Sequence, residues 1–353
     1  MTHSPRTPQA YGGPAMSNSL RVWLNRLGMQ PRELEVVRHV LAGDSVVDWR
    51  GMDFASFDDV DALLRLNKLD WHAPRDARYL RHLLAEAVRF LEGTLLRKVA
   101  PEVSQAQDVR EVFLLTRRHH PRAVRTSACH TLKVMNTINH MNGRELLFHV
   151  PISERNLVAL ATTEVKRVVD QLRDSGFPIV EFDGGEKSRE ALVLKLLAKR
   201  ETLAAQVYDK IRFRVVVEEV DQIPAVILHF TRHLFPFNYV IPGQSQNEIV
   251  PIPEGEEAEG NDRPLNESSG PTYRHLDFVV DLPLRLDPFA NLEETPELER
   301  LGNVVYAMVE FQVVDLRTSR ANDSGQNSHE AYKDRQRERV LERLERPFEE
   351  DEP

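Results

Sequence analysis

The hydrophobic period of this chain changes at Gly176-Phe177-Pro178, and that break constrains the fold more than any other feature. Before it, apolar residues recur at three- and four-residue spacing in Leu20–Leu27, Glu33–Leu41, Val60–Leu66, Tyr79–Leu96 and Thr162–Ser175, which is the pattern of amphipathic helices. Ser56 and Asp58 suit helix caps, Pro31 and Pro101 suit first turns, and Pro121 and Asn142-Gly143 read as turns. After the break come β-type runs: Ile179–Phe182, Ile211–Val217, Asn238–Ile241, His275–Leu282 and Val304–Val314. Gly184-Gly185 reads as a turn, and helices are predicted over Ser188–Val207, Val220–His233 and Glu330–Glu345. The pattern predicts an α+β protein: a helical region over 20–175, then a mixed-sheet domain over 176–335.

The flanks differ from both regions. Residues 1–19 are rich in Pro, Gly, Ser and Thr and read as a disordered tail, and the acidic insert 253–270 reads as a mobile loop. Residues 336–353 form a charged helix and an acidic tail. The 353 residues leave room for two cores, and 41% apolar with 29% charged residues excludes a wholly disordered or fibrous chain. No run approaches the ~18 apolar residues that cross a bilayer, so a soluble protein is expected. A single cysteine, Cys129, can form neither an internal disulfide nor a thiolate cage, which fits the cytoplasm.

The net charge of −9 excludes a protein that coats nucleic acid through bulk electrostatics, but leaves room for a local patch. One segment qualifies: from Val112 to Arg144 there is no acidic residue, while Arg117, Arg118, Arg122, Arg125, Lys133 and Arg144 are all positive. It fits either RNA backbone contact or a solvated helix face paired with acids elsewhere.

Chemistry is expected after the break. Tyr208-Asp209 leads into the strand Lys210–Val217, which carries Arg214, and a hundred residues later Val309–Val313 places Glu310 and Gln312 on one face by period-two alternation. Carboxylates from adjacent strands, Asp209 and Glu310, suit a Mg²⁺ ion shared with nucleotide phosphates. A sheet that merely turns a polar Glu and Gln to solvent has the same pattern.

The surrounding motifs resemble the synthetase domain of RelA/SpoT-type (p)ppGpp synthetases over about residues 180–335. Leu194–Val217 looks like that family's basic helix and aromatic-Asp-x-Ile-x-x-Arg strand, and Pro242-Gly243 stands at the start of its Pro-Gly-Arg loop. Tyr273-Arg274-x-Leu276 is similar to its Tyr-x-x-Leu segment, Glu310-x-Gln312 to its Glu-Ile-Gln strand, and His329-Glu-Ala331-Tyr332-Lys333 to its last helix. The resemblance implies a nucleotidyltransferase-like fold and transfer of the pyrophosphate of ATP to a hydroxyl of a nucleotide, or of an RNA end. It implies Asp209 and Glu310 as Mg²⁺ ligands and Gln312 as a catalytic group beside them. Tyr273 would stack on the acceptor base, and Arg214, Lys195, Lys199, Arg200 and His329 would lie in the substrate site. The sequence departs from the family at Glu186, Gln244, Gln246 and Val314, where cations are usual, and Lys187 and Arg189 are the nearby substitutes. With those cations gone, a catalytically inactive domain that senses a nucleotide or binds a protein is the alternative.

Overall fold

The computed structural model describes residues 31–42, 54–198, 210–250, 272–286, 296–327 and 329–349. The predicted helix Leu20–Leu27, the tail 1–19, the insert 253–270 and residues 199–209 lie outside the described residues.

Among the described residues, seven helices precede the first strand: α1 (Pro31–Ala42), α2 (Phe57–Leu66), α3 (Pro74–Gly93), α4 (Pro101–Ser104), α5 (Val109–Leu114), α6 (Arg122–His149) and α7 (Glu154–Asp174). Their starts follow local chemistry. Ser56 caps α2 in a reciprocal box with Asp59, and Pro31, Pro74 and Pro101 open α1, α3 and α4, where a missing N–H costs nothing. Then follow β1 (Ile179–Glu186), α8 (Arg189–Ala198), β2 (Ile211–Val217), α9 (Ile223–His233), β3 (Gln246–Asn247), β4 (Leu276–Arg285), α10 (Pro296–Leu301), β5 (Val304–Asp315), α11 (Leu316–Asn322) and α12 (His329–Glu349).

The strands make one mixed sheet in the order β1-β2-β5-β4-β3, with β2 and β5 parallel and the other neighbours antiparallel. One face is apolar. Phe213, Phe278 and Phe311 meet Phe230 of α9 and Phe235 beyond it, with ring centroids 5.2–6.4 Å apart. Removing each such side chain from water contributes ~1.5–3 kcal/mol, which makes this layer the centre of the core. Val165, Val168 and Val169 of α7 are fully buried, and the His229 ring of α9 lies 3.0 Å from the Val168 carbonyl, so α7 and α9 pack side by side. Buried residues of the helices and of the sheet belong to one continuous cluster.

Helix α6 crosses the other face at the Tyr306 end of β5. Asn139 donates to the hydroxyls of Tyr306 and Tyr239, at 2.8 and 3.2 Å, and accepts from Tyr79 of α3 at 3.0 Å. At the far end of β4, Arg285 reaches the buried Asp76 of α3 at 2.6 Å.

Three sequence expectations change. Asn142-Gly143 is not a turn but the interior of α6: Asn142 spends its amide on the Tyr79 hydroxyl and the Arg300 carbonyl, and Gly143 lies where a Cβ would be 2.7 Å from the Val304 oxygen. Gly184-Gly185 is strand, paired with Phe213 and Arg212; a Cβ at Gly184 would sit 2.6 Å from the Phe213 Cα. Asn238–Ile241 is a 3₁₀ turn over Phe237–Tyr239 followed by a single bridge from Val240 to Val280. In each case a long-range contact decides what the local residue types leave open.

Candidate functional site

Strand register assembles the polar face. Arg212 is opposite Glu310 and Arg214 opposite Gln312 across β2 and β5, while Val279 and Asp277 of β4 flank the same two residues from the other side. Alternation then turns Arg212, Arg214, Asp277, Asp281, Met308, Glu310 and Gln312 away from the phenylalanine layer. Glu310 and Gln312 are only 5% and 3% exposed, so they are not the solvent side of an uncovered sheet.

Gln312 is held at both ends. Its Oε1 accepts from the Arg212 guanidinium, and its Nε2 donates to the Tyr273 hydroxyl at 3.0 Å. Glu310 Oε2 has Arg212 Nε at 3.9 Å and Lys187 Nζ at 4.0 Å. Burial works against the Arg212 charge, but Glu310, Tyr273 and Asp277 outweigh it and hold its pKa above the usual arginine value. Lys187 is placed by its backbone: its N–H donates to the Lys210 carbonyl at 2.9 Å, extending the β1–β2 ladder to the start of α8.

Beside Tyr273 stands a second cluster. The His275 ring lies 5.2 Å from the Tyr273 ring, with Nε2 3.1 Å from Asp277 and Nδ1 3.4 Å from Glu248. It ties the edge segment after β3 to the strand that carries the tyrosine.

Of the residues proposed from sequence, Glu310, Gln312, Tyr273 and Lys187 converge. Arg214 shares their face but turns to α11, donating to Ser319 at 3.0 Å with Asp323 at 3.8 Å. Arg189 is exposed at the first turn of α8, Lys195 is half-buried on the same helix, and His329 is the first residue of α12. Asp209, Lys199 and Arg200 lie outside the described residues. Sequence reasoning missed Arg212, His275, Asp277 and Glu248. Arg212 carries a signal, since it alternates with Arg214 as Glu310 does with Gln312; which of the two meets Gln312 depends on a register set across about a hundred residues.

Among the described residues no three His, Cys, Asp or Glu side chains form a cage for a metal ion. Mg²⁺ is ordinarily held by one or two carboxylates plus substrate phosphates, so the buried Glu310 carboxylate fits as one such ligand. No helix among them is long and apolar enough to cross a membrane.

The positive segment is not one patch. His140 and Arg144 pair with Asp281 on the sheet, whereas Arg122 stands 18 residues earlier on α6, about 27 Å along the axis at ~1.5 Å per residue. Arg117, His119 and His120 line a cleft of about 510 Å³ that also contains Glu102 and Glu111.

No family model matches the chain, and no curated protein matches it. Among solved structures, its α+β fold is similar to that of small alarmone synthetases. The small alarmone synthetase 1 from Bacillus subtilis is 17% identical over 56% of this chain and 90% of that one, with a TM-score of 0.32. The same enzyme bound to its product pppGpp gives 16% identity, the same coverage and a TM-score of 0.31. A GTP pyrophosphokinase family protein from Streptococcus pneumoniae is 19% identical over 54% of this chain and 85% of that one, at a TM-score of 0.30. What the polar face does rests on its own residues.

Proposed function

We propose that the polar face of the sheet binds nucleotides and moves the pyrophosphate of ATP to a hydroxyl of a second nucleotide. The observation that carries this reading is the buried Glu310 with Arg212 and Lys187 at 3.9 and 4.0 Å, next to a tyrosine pinned by its hydroxyl through Gln312. Arg212 and Lys187 counter polyphosphate charge, which grows on the transferred group as the bond to the leaving group opens. The Tyr273 ring offers its free face to a base, a contact worth ~1–3 kcal/mol that discriminates poorly among bases. Gln312, with both ends of its amide engaged, positions Tyr273 and Arg212. Mg²⁺, held by Glu310 and Asp209 with the phosphates, would supply further charge neutralisation at the triphosphate. We take the acceptor to be a nucleotide and not an RNA end, because Arg122 stands about 27 Å along α6 from the His140 that pairs with the sheet, at ~1.5 Å per residue.

A second reading, a nucleotide sensor without turnover, is favoured by the two cations that already compensate Glu310. One experiment separates them: purified protein with γ-labelled ATP, Mg²⁺ and GMP, GDP, GTP or bulk tRNA as acceptor. Label on a nucleotide, lost in Glu310→Gln, supports transfer. Nucleotide binding with no label transferred selects the sensor, label on tRNA overturns the choice of acceptor, and no binding at all sinks both readings.

A further inference from the structure

We infer that His140, carried by the helical half on α6, is a catalytic residue of this cleft: its Nδ1 accepts the hydrogen of a hydroxyl on the bound nucleotide and takes that proton as pyrophosphate is transferred. The inference rests on the transferase reading for the proton transfer, and on geometry alone for the contact.

His140 reaches the polar face through Asp281 of β4. The Asp281 carboxylate is buried, and its Oδ2 is shared by the His140 Nε2 and by Arg144, which lies 2.8 Å away and one turn further along α6. A carboxylate can only accept, so Asp281 takes the hydrogen on Nε2 and leaves Nδ1 as the ring's acceptor nitrogen. The ring is further fixed edge-on to Tyr306, 4.7 Å between centroids, with Tyr239 at 5.9 Å. Burial pushes the Tyr239 hydroxyl up to about 12 and Tyr306 well above its ordinary value, so neither competes for a proton. Among the described residues, Asp281, these two tyrosines and, through Asp281, Arg144 are the titratable and charged groups around the ring. An aspartate that orients one imidazole nitrogen while the other stays open is the arrangement that general bases share.

Position puts the dyad on the face that carries Glu310. Asp281 is opposite Met308 and Val279 is opposite Glu310, so the dyad stands one same-face row from Glu310, ~7 Å of strand. Met308, between them, is the one residue of β5 that is only partly buried. The His140 side chain is itself 37% exposed. In the step, the hydroxyl O–H bond breaks with its proton passing to Nδ1. The oxygen bonds to the β-phosphorus of ATP, and the bond from that phosphorus to the α–β bridging oxygen breaks, releasing AMP. The imidazolium then returns its proton to water.

The test uses the full chain labelled with ¹⁵N-histidine, followed by NMR during titration with GDP, beside pH–rate profiles of the wild type, His140→Gln and Asp281→Asn with ATP and GDP. The expected result is a GDP-dependent shift of the His140 Nδ1 signal and a loss of about 100-fold or more in kcat for His140→Gln at little changed KM, with the acidic limb of the profile gone. Asp281→Asn, which keeps the histidine but alters its tautomer, should shift that limb. A His140→Gln enzyme within a few-fold of wild type and an unmoved Nδ1 signal overturn the inference and leave the transferase standing. A wild type without transfer, whose Nδ1 still shifts with GDP, removes the transferase and keeps the hydroxyl contact; neither signal overturns both.

Discussion

Replacing Gly143 by alanine tests how the helical half is seated on the sheet. At this residue α6 crosses β5 so closely that a Cβ would lie 2.7 Å from the Val304 carbonyl oxygen and 2.7 Å from Tyr306 Cδ2. Carbonyl oxygen is backbone and cannot turn aside, and the Tyr306 ring is fully buried with its hydroxyl bonded to Asn139 and Tyr239 at 2.8 and 3.0 Å. The helix itself would gain ~1 kcal/mol from alanine. Against that, overpacking costs ~1–3 kcal/mol, and stretching the two tyrosine hydrogen bonds costs ~1 kcal/mol each. The expected net loss is about 2–4 kcal/mol, a fall in Tm of ~3–5 °C at the ~0.7 kcal/mol/K unfolding entropy of a chain of this size. Thermal and guanidinium unfolding would measure it, with Gly93→Ala as the control, since nothing lies within 4 Å of a Cβ there and the change should be neutral or slightly stabilising. If Gly143→Ala proves as stable as wild type, α6 does not press on β5 as described, and the placement of His140 above Asp281 loses its support.

Three further outcomes follow from the contacts. Asp76→Asn should cost about 2–3 kcal/mol in denaturant unfolding, less than a fully buried pair because Arg285 is 30% exposed, and an unchanged midpoint would show that the pair contributes nothing. Arg212→Met should weaken nucleotide binding by ~10–100-fold in calorimetry, because it releases Gln312 and with it Tyr273, while leaving the phenylalanine layer intact; affinity equal to wild type would refute that relay. Burial depresses the His229 pKa below its ordinary 6.5, with His233 and Arg232 adding to the effect against the Val168 carbonyl. A depressed folded pKa means that the unfolded chain takes the proton first, so His229 contributes stability that is present above pH 6.5 and lost as the pH falls through its folded value. Tm measured from pH 7.5 to 5 should therefore fall less steeply in His229→Gln than in wild type.

Elements whose signal is local were legible in the sequence. Ile211–Val217 is a strand from end to end because its β-branched run is short and bounded, and Ser56 caps α2 because a serine ahead of an acidic first turn needs no distant partner. The shared face of Glu310 and Gln312 was legible for the same reason, since alternation alone decides it. Residues whose state is set by something far away were not. Asn142-Gly143 and Gly184-Gly185 carry the composition of turns, yet one lets a helix touch Val304 and the other lets β1 run against Phe213.

The candidate site divides along the same line, and the division bears on its chemistry. Gln312 reads in the sequence as a group free to meet substrate, but the parallel register of β2 on β5 brings Arg212 to its carbonyl and leaves its amide for Tyr273. The guanidinium near Glu310 thus also fixes, through one side chain, the ring that would receive a base. A phosphate that draws Arg212 toward itself must loosen Gln312, and a base that seats on Tyr273 must steady it, so the two halves of a nucleotide would be felt by the same three residues. Coupling of that kind is a property of register, which no single strand encodes, and under the proposed function it would make Arg212 rather than Arg214 the arginine on which nucleotide binding depends.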